Sequence, residues 1–166
     1  QNSLFRGKFS VTDGRFSFRF KVPKDIGFQY GNGRLSLYAE NGKQDAQGVF
    51  TNFMVGGIGQ LTDRDTTGPV IRAWLNDERF ANGGLTNQQP VLIVKLTDSS
   101  GINTTGLGIG HDLVATLDGD NNQYYVLNDF YQADADSYQR GSLRFQLPGM
   151  EPGPHSLRIK AWDVMN

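Results

Sequence analysis

The sequence predicts an all-β fold, and three observations carry that prediction. Apolar residues recur with a period of two along most of the chain, rather than with the 3.6-residue period of a helix. Glycine is abundant, at 21 of 166 residues, as a chain with many tight turns requires. No segment shows a long amphipathic helical stripe.

The elements follow in order. Arg15-Phe16-Ser17-Phe18-Arg19-Phe20-Lys21-Val22 alternates without a fault. It predicts a half-buried antiparallel strand with Phe16, Phe18, Phe20 and Val22 on one face and Arg15, Ser17, Arg19 and Lys21 on the other. Arg34 to Glu40 repeats the pattern, with Leu35, Leu37 and Ala39 inward, and Val49 to Val55 is a further strand. Pro23, Gly31-Asn32-Gly33 and Asn41-Gly42 punctuate this block. Gly56-Gly57-Ile58-Gly59 closes it.

The polar stretch Leu61-Thr62-Asp63-Arg64-Asp65-Thr66-Thr67-Gly68-Pro69 reads as a domain boundary. Strands are expected after it at Val70–Leu75 and at Val91–Thr97, the latter apolar enough to be central. Further strands are expected around Leu113, Ala115 and Leu117, at Gln123–Leu127, around Leu143, Phe145 and Leu147, and around Leu157, Ile159 and Ala161. Asn128 to Gln139 reads as a loop with room for one helical turn. Many short strands separated by turn signals predict sandwiches. We therefore expect two immunoglobulin-like β-sandwich modules in tandem, at 1–66 and 69–166. The first is expected to be truncated at its start, and the second to lack its last strand.

Composition narrows the function. The net charge is −1, which gives no general case for nucleic acid or an anionic membrane as partner. No apolar run reaches the roughly 18 residues of a membrane helix. Cysteine is absent, which removes disulfides and thiol chemistry together. No signal peptide is visible, and the chain reads as an excised internal fragment. Charge is uneven along it. Residues 1–43 hold eight basic residues (Arg6, Lys8, Arg15, Arg19, Lys21, Lys24, Arg34, Lys43) against three acidic ones (Asp13, Asp25, Glu40), whereas residues 96–139 hold seven Asp and no Lys or Arg. Solvated faces and acidic loops explain this most simply. A basic docking face and a cation site are the sharper readings.

No constellation points to catalysis. A serine nucleophile needs a histidine base, and the chain has only His111 and His155. In Gly108-Ile109-Gly110-His111-Asp112 the His and Asp are neighbours whose side chains diverge on a strand, so His111 is expected at a structural loop-to-strand entry. His155 follows Pro152-Gly153-Pro154 and reads as a turn-edge residue. Asp134 and Asp136 share one loop and cannot face each other across a cleft as glycosidase carboxylates do. Gly106-Leu107-Gly108-Ile109-Gly110 lacks the Lys-Ser/Thr ending of a phosphate loop. Asp118-Gly119-Asp120-Asn121-Asn122, with Asp129 beyond, resembles a calcium loop, but Gln123 stands where Gly is needed and Asp129 where a bidentate Glu is needed. A strand-joining turn is the simpler reading. Asp63 and Asp65 are a second weak calcium candidate. Trp74, Trp162, Phe130, Tyr124 and Tyr125 suit a sugar platform, but packing explains them more simply. We assign no catalytic, cofactor or metal residue.

An ordered set of short runs resembles a known family. They are Val22-Pro23-Lys24-Asp25-Ile26, Tyr30-Gly31-Asn32-Gly33, Asp45-Ala46-Gln47-Gly48 and Val55-Gly56-Gly57. Beyond the boundary come Leu75-Asn76-Asp77, Asn82-Gly83-Gly84-Leu85-Thr86-Asn87 and Asp98-Ser99-Ser100-Gly101-Ile102-Asn103-Thr104. The longest is Gly108-Ile109-Gly110-His111-Asp112-Leu113-Val114-Ala115-Thr116-Leu117-Asp118-Gly119, followed by Tyr125-Val126-Leu127-Asn128-Asp129 and Ala161-Trp162-Asp163. The set resembles the region downstream of the peptidase domain in type IX secretion system sortases of the PorU type, which are gingipain-like cysteine peptidases. The resemblance implies an upstream peptidase domain, exposure at the outer face of the outer membrane, and contact with secretion-complex or cargo proteins. It implies a parent that removes the C-terminal secretion signal of cargo and attaches the cargo to a lipopolysaccharide anchor. The family's catalytic Cys and His lie in the peptidase domain, and no position here matches them. The expectation is thus a non-catalytic accessory region without cofactor. The alternative is a calcium- or carbohydrate-binding adhesion module.

Overall fold

A computed structural model describes residues 3–27, 29–57, 59, 65–120 and 122–165. Asp63, most of the boundary stretch before Asp65, and Asn121 of the acidic turn lie outside the described residues. The chain is almost entirely β, built from small antiparallel sheets joined by turns.

The first part holds four strands. β1 (Gly31–Asn32) pairs with β4 (Met54–Val55), and β2 (Leu35–Glu40) pairs with β3 (Asp45–Phe50). The expected strand at Val49–Val55 is thus split. Its halves serve different partners, and between them the Gly33 amide donates to the Phe53 carbonyl. A Cβ at Gly33 would meet the Phe53 ring, which would have to shift to admit it. The β2–β3 turn is tied by Asn41, whose side-chain oxygen accepts the amides of Lys43 and Gln44, with Gly42 at φ 79°.

The expected strand at 15–22 differs. It is extended, but it is not part of a sheet. Asp13 (φ 50°) and Gly14 (φ 73°) form a left-handed two-residue turn closed by reciprocal Thr12–Arg15 backbone bonds. Asp-Gly is the residue pair such a turn favours. The arms 5–11 and 16–22 then run side by side as a ribbon. Its apolar face is a phenylalanine ladder rather than a sheet surface: Phe5 stacks on Phe20 at 4.8 Å, Phe9 meets Phe18 at 5.1 Å, and Phe16, Phe18 and Phe20 follow one another at 6.2–6.3 Å. Phe16 and Val22 remain exposed, since no second sheet covers them.

The second part is a sandwich. One sheet has the order β5-β6-β10-β9, formed by β5 (Val70–Leu75), β6 (Val91–Thr97), β10 (Arg140–Gln146) and β9 (Gln132–Ala133). The other has the order β11-β7-β8, formed by β11 (Leu157–Lys160), β7 (Val114–Leu117) and β8 (Tyr124–Val126). Read in chain order, these are the A-B-E-D and F-C-C′ arrangements of immunoglobulin-type sandwiches. The expected loop at 128–139 contains a 3₁₀ turn, Asn128–Phe130, and the short strand β9.

The core lies between these two sheets. Leu92, Val94 and Leu96 of β6 and Leu143 of β10 face Leu113, Ala115 and Leu127, with Ile102, Tyr131, Ala133 and Leu147 completing the cluster. Apart from Pro23 and Pro90, every buried apolar side chain among the described residues falls at position 92 or later. In the first part Leu35 and Leu37 are half-buried and Ala39 is exposed, because each of its sheets has two strands and none opposes another. At about 25 cal/mol per Å² of apolar surface removed from water, stability concentrates in the second part.

Candidate functional site

The best-organised polar groups lie where the ribbon meets the sandwich. Pro23 ends the alternating arm and is itself buried. The Lys24 amide then donates to the Val164 carbonyl at 3.0 Å. Asp25 follows, with only 9% of its side chain exposed. Its carboxylate accepts from the Asn103 side-chain Nδ2 at 2.7 Å and stands 3.0 Å from His111 Nδ1. The His111 ring lies 4.3 Å from Trp162, whose Nε1–H donates to the Gly110 carbonyl, and the Lys160 ammonium sits 4.5 Å above the indole. His111 thus finds its carboxylate 86 residues away in sequence, while its neighbour Asp112 turns aside to accept from Asn128. Nearer the turn, Asp136 accepts both the amide and the hydroxyl of Ser10. These two donors, the hydroxyl first, hold its carboxyl below the usual carboxylate range.

Beside this junction, Asp65, Asp98 and Asp163 each offer a carboxylate oxygen, and the three oxygens lie within 4.8 Å of one another. Asp98 and Asp163 are buried. Asp98 caps a turn, accepting the amides of Ser100 and Gly101, and Asp163 accepts the Met165 amide. Asp65 accepts from the Ser100 and Thr67 hydroxyls and the Thr67 amide. The Ser100 hydroxyl leads in holding its carboxyl far below the usual range. Asp98 moves the opposite way. Burial pushes its carboxyl up, against the pull of the Ser100 amide, and the Asp163 and Asp65 charges add to the rise. Lys21 of the ribbon reaches the rim, 3.5 Å from the Ser100 hydroxyl. Three hard oxygen donors so placed have the chemistry of a calcium ligand set.

The acidic turn is a strand connection. Asp118 (φ 54°) and Gly119 (φ 67°) join β7 to β8, and Asp120 accepts the Asn122 amide. Asp129 sits apart in the 3₁₀ turn. Asp118 instead holds the β11 entry, taking the Ser156 amide and His155 Nδ1, each at 2.7 Å. Asp134 pairs with Arg140 at 3.2 Å. The aromatic residues are spread through the packing: Tyr125 and Phe130 both abut Phe145, Trp74 lies under Lys95, and Trp162 lies against His111.

Sequence reasoning singled out Asp65 but missed Asp98 and Asp163. Asp98-Ser99-Ser100-Gly101 carries a visible side-chain-capped turn signal, whereas Asp163 carries no local signal at all. The pairing of His111 with Asp25 was equally hidden, since it spans both parts of the chain.

The fold and the junction define an immunoglobulin-type sandwich with an aromatic, basic ribbon pinned along it. No family model matches this chain, and no curated protein matches it. Among solved structures it is similar to the crystal structure of dimeric latent PorU from Porphyromonas gingivalis, at 36% identity and a TM-score of 0.61. The match covers 94% of this chain and 15% of that one, so the sequence spans a small part of the solved protein's length.

Proposed function

We propose that this chain is a non-catalytic accessory region of a type IX secretion sortase of the PorU type, displayed at the outer face of the outer membrane. The observation that carries the reading is the 36% identity sustained over 94% of the chain. Agreement of that extent favours a shared role as well as a shared fold. In this reading, peptide cleavage and cargo attachment belong to an upstream peptidase domain. The present region positions that domain or docks secretion-complex or cargo proteins, and the basic face of the ribbon is its contact surface.

The test is to detect the native protein in outer-membrane fractions with an antibody raised against this chain. A band far above 18.4 kDa that co-purifies with the secretion complex is expected. Normal assembly and cargo processing after deletion of this region would reject the role. A second reading, a calcium-stabilised adhesion module, is favoured by one observation, the convergence of Asp65, Asp98 and Asp163. It requires millimolar calcium to raise the melting temperature, and loss of that rise in Asp65→Asn.

A further inference from the structure

The ribbon carries charge in an arrangement that the fold itself does not use. The Thr12–Arg15 bridge closes its turn, and Arg6, Lys8, Arg15 and Arg19 gather like charge on its two arms. Like charges held close together are unfavourable. Arg6, Lys8, Arg15, Arg19 and Lys24 are exposed, and among the described residues none of the five forms an ion pair. The sandwich meets the ribbon through Phe5, Arg6, the Lys8 carbonyl, Ser10, Lys21 and residues 24–25, but among the described residues it forms no ion pair with the five exposed cations.

The backbone shows the same incompleteness. Phe16, Ser17, Phe18, Arg19 and Phe20 are extended and alternate in face, yet they make no backbone hydrogen bond among the described residues. An extended segment with unused amides and carbonyls is a template for one more strand. Charge of either sign would keep such an edge soluble. Here five exposed cations stand against one exposed carboxylate, Asp13 at the turn, and three of the five are arginines, whose planar forks match carboxylates.

We propose, on the docking reading above, that the arm 15–22 takes up an extended acidic segment of a partner protein as an added strand. Main-chain bonds to residues 16–20 supply the pairing. Arg15 and Arg19, with Arg6 and Lys8 on the neighbouring arm, select carboxylate side chains at alternate positions of the incoming segment.

The probe is a fluorescent peptide alternating Glu and Val, titrated with the 166-residue chain and read by anisotropy. Binding is expected, and it weakens as salt screens the charges. The double variant Arg15→Glu/Arg19→Glu is expected to lose about ten-fold or more in affinity, and Arg19→Gln several-fold. Arg72→Glu, which makes half the double variant's charge change on β5, is expected to bind as the parent does. A probe N-methylated at alternate residues, with its charge intact but its ladder donors removed, is expected not to bind. Equal binding of a Gln-for-Glu or N-methylated probe overturns the proposal. So does equal loss in Arg72→Glu, or binding only to phosphatidylcholine–phosphatidylglycerol vesicles. Any of these results combined with intact co-purification rejects the strand addition and leaves the accessory role standing.

Discussion

His155 shows how a single side chain ties the end of one strand to the start of another. Its Nδ1 faces the Asp118 carboxylate and its Nε2 faces the Glu151 carbonyl, each at 2.7 Å. Both nitrogens meet acceptors, so the doubly protonated ring satisfies the site and a neutral ring leaves one contact repulsive. The Glu151 carbonyl, then Asp118, raises the His155 value above its ordinary 6.5. The His155 and Ser156 hydrogen bonds lower Asp118 below 3.8. The histidine's contribution is therefore full below 6.5 and lost as pH rises through its raised value. The aspartate's is full above 3.8 and lost as pH falls through its lowered value. Melting temperature should peak between these limits, and His155→Asn should flatten the alkaline side of the profile. Asp98 works in the reverse sense, because its carboxylate is disfavoured by burial and by two neighbouring charges. Asp98→Asn keeps an oxygen for the Ser100 and Gly101 amides and should leave stability at neutral pH equal or higher. Asp98→Ala removes that acceptor and should cost about 1–2 kcal/mol, with urea unfolding reading both. Neither Asp98's buried neighbours nor the partners of His155 were legible in the sequence, which shows a residue's type and not what the fold brings against it.

Strands were more legible than the residues that join them. Val70–Leu75 and Val91–Thr97 are observed at the boundaries read from the sequence, since a continuous apolar run between turns is a local signal. The split of 45–55 between two partners and the ribbon at 5–22 were not readable, because pairing depends on what stands alongside. Element-scale energetics follow burial. Leu96→Ala, at 1% exposure in β6, should cost about 2–5 kcal/mol. Leu37→Ala in β2 should cost under about 1 kcal/mol, because no sheet opposes the β2–β3 hairpin and little cavity is left. Near-equal losses in denaturant unfolding would contradict this placement of the core. Gly141 is the tight point of the β9–β10 pair. A Cβ there would meet the Gln132 carbonyl and lie 2.6 Å from the buried Tyr131 hydroxyl, so Gly141→Ala should cost about 1–3 kcal/mol through overpacking.

At the scale of the molecule, several contacts hold the ribbon. Asp25 binds Asn103 and His111, Asp136 binds Ser10, Phe5 packs on the core, and the Lys8 carbonyl and Lys24 amide bond the Asp136 amide and Val164 carbonyl. Asp25→Ala combined with Asp136→Ala should release it while the sandwich persists. The expected readout is faster tryptic cleavage after Arg15 and Arg19, with little change in the main melting transition. Cleavage at the parent rate would mean that Phe5 packing and the Lys8 and Lys24 backbone bonds are enough to hold the ribbon. By itself the sequence determined the all-β class, the central strand at 91–97, the turn character of the acidic loops and the resemblance to the PorU type, because each rests on local alternation, turn chemistry or an ordered set of short runs. Only the tertiary structure decided that the core lies wholly within the second part, that Asp65, Asp98 and Asp163 converge, and that His111 answers to Asp25. Those facts depend on contacts between residues far apart in the chain, and such contacts leave no periodicity to read.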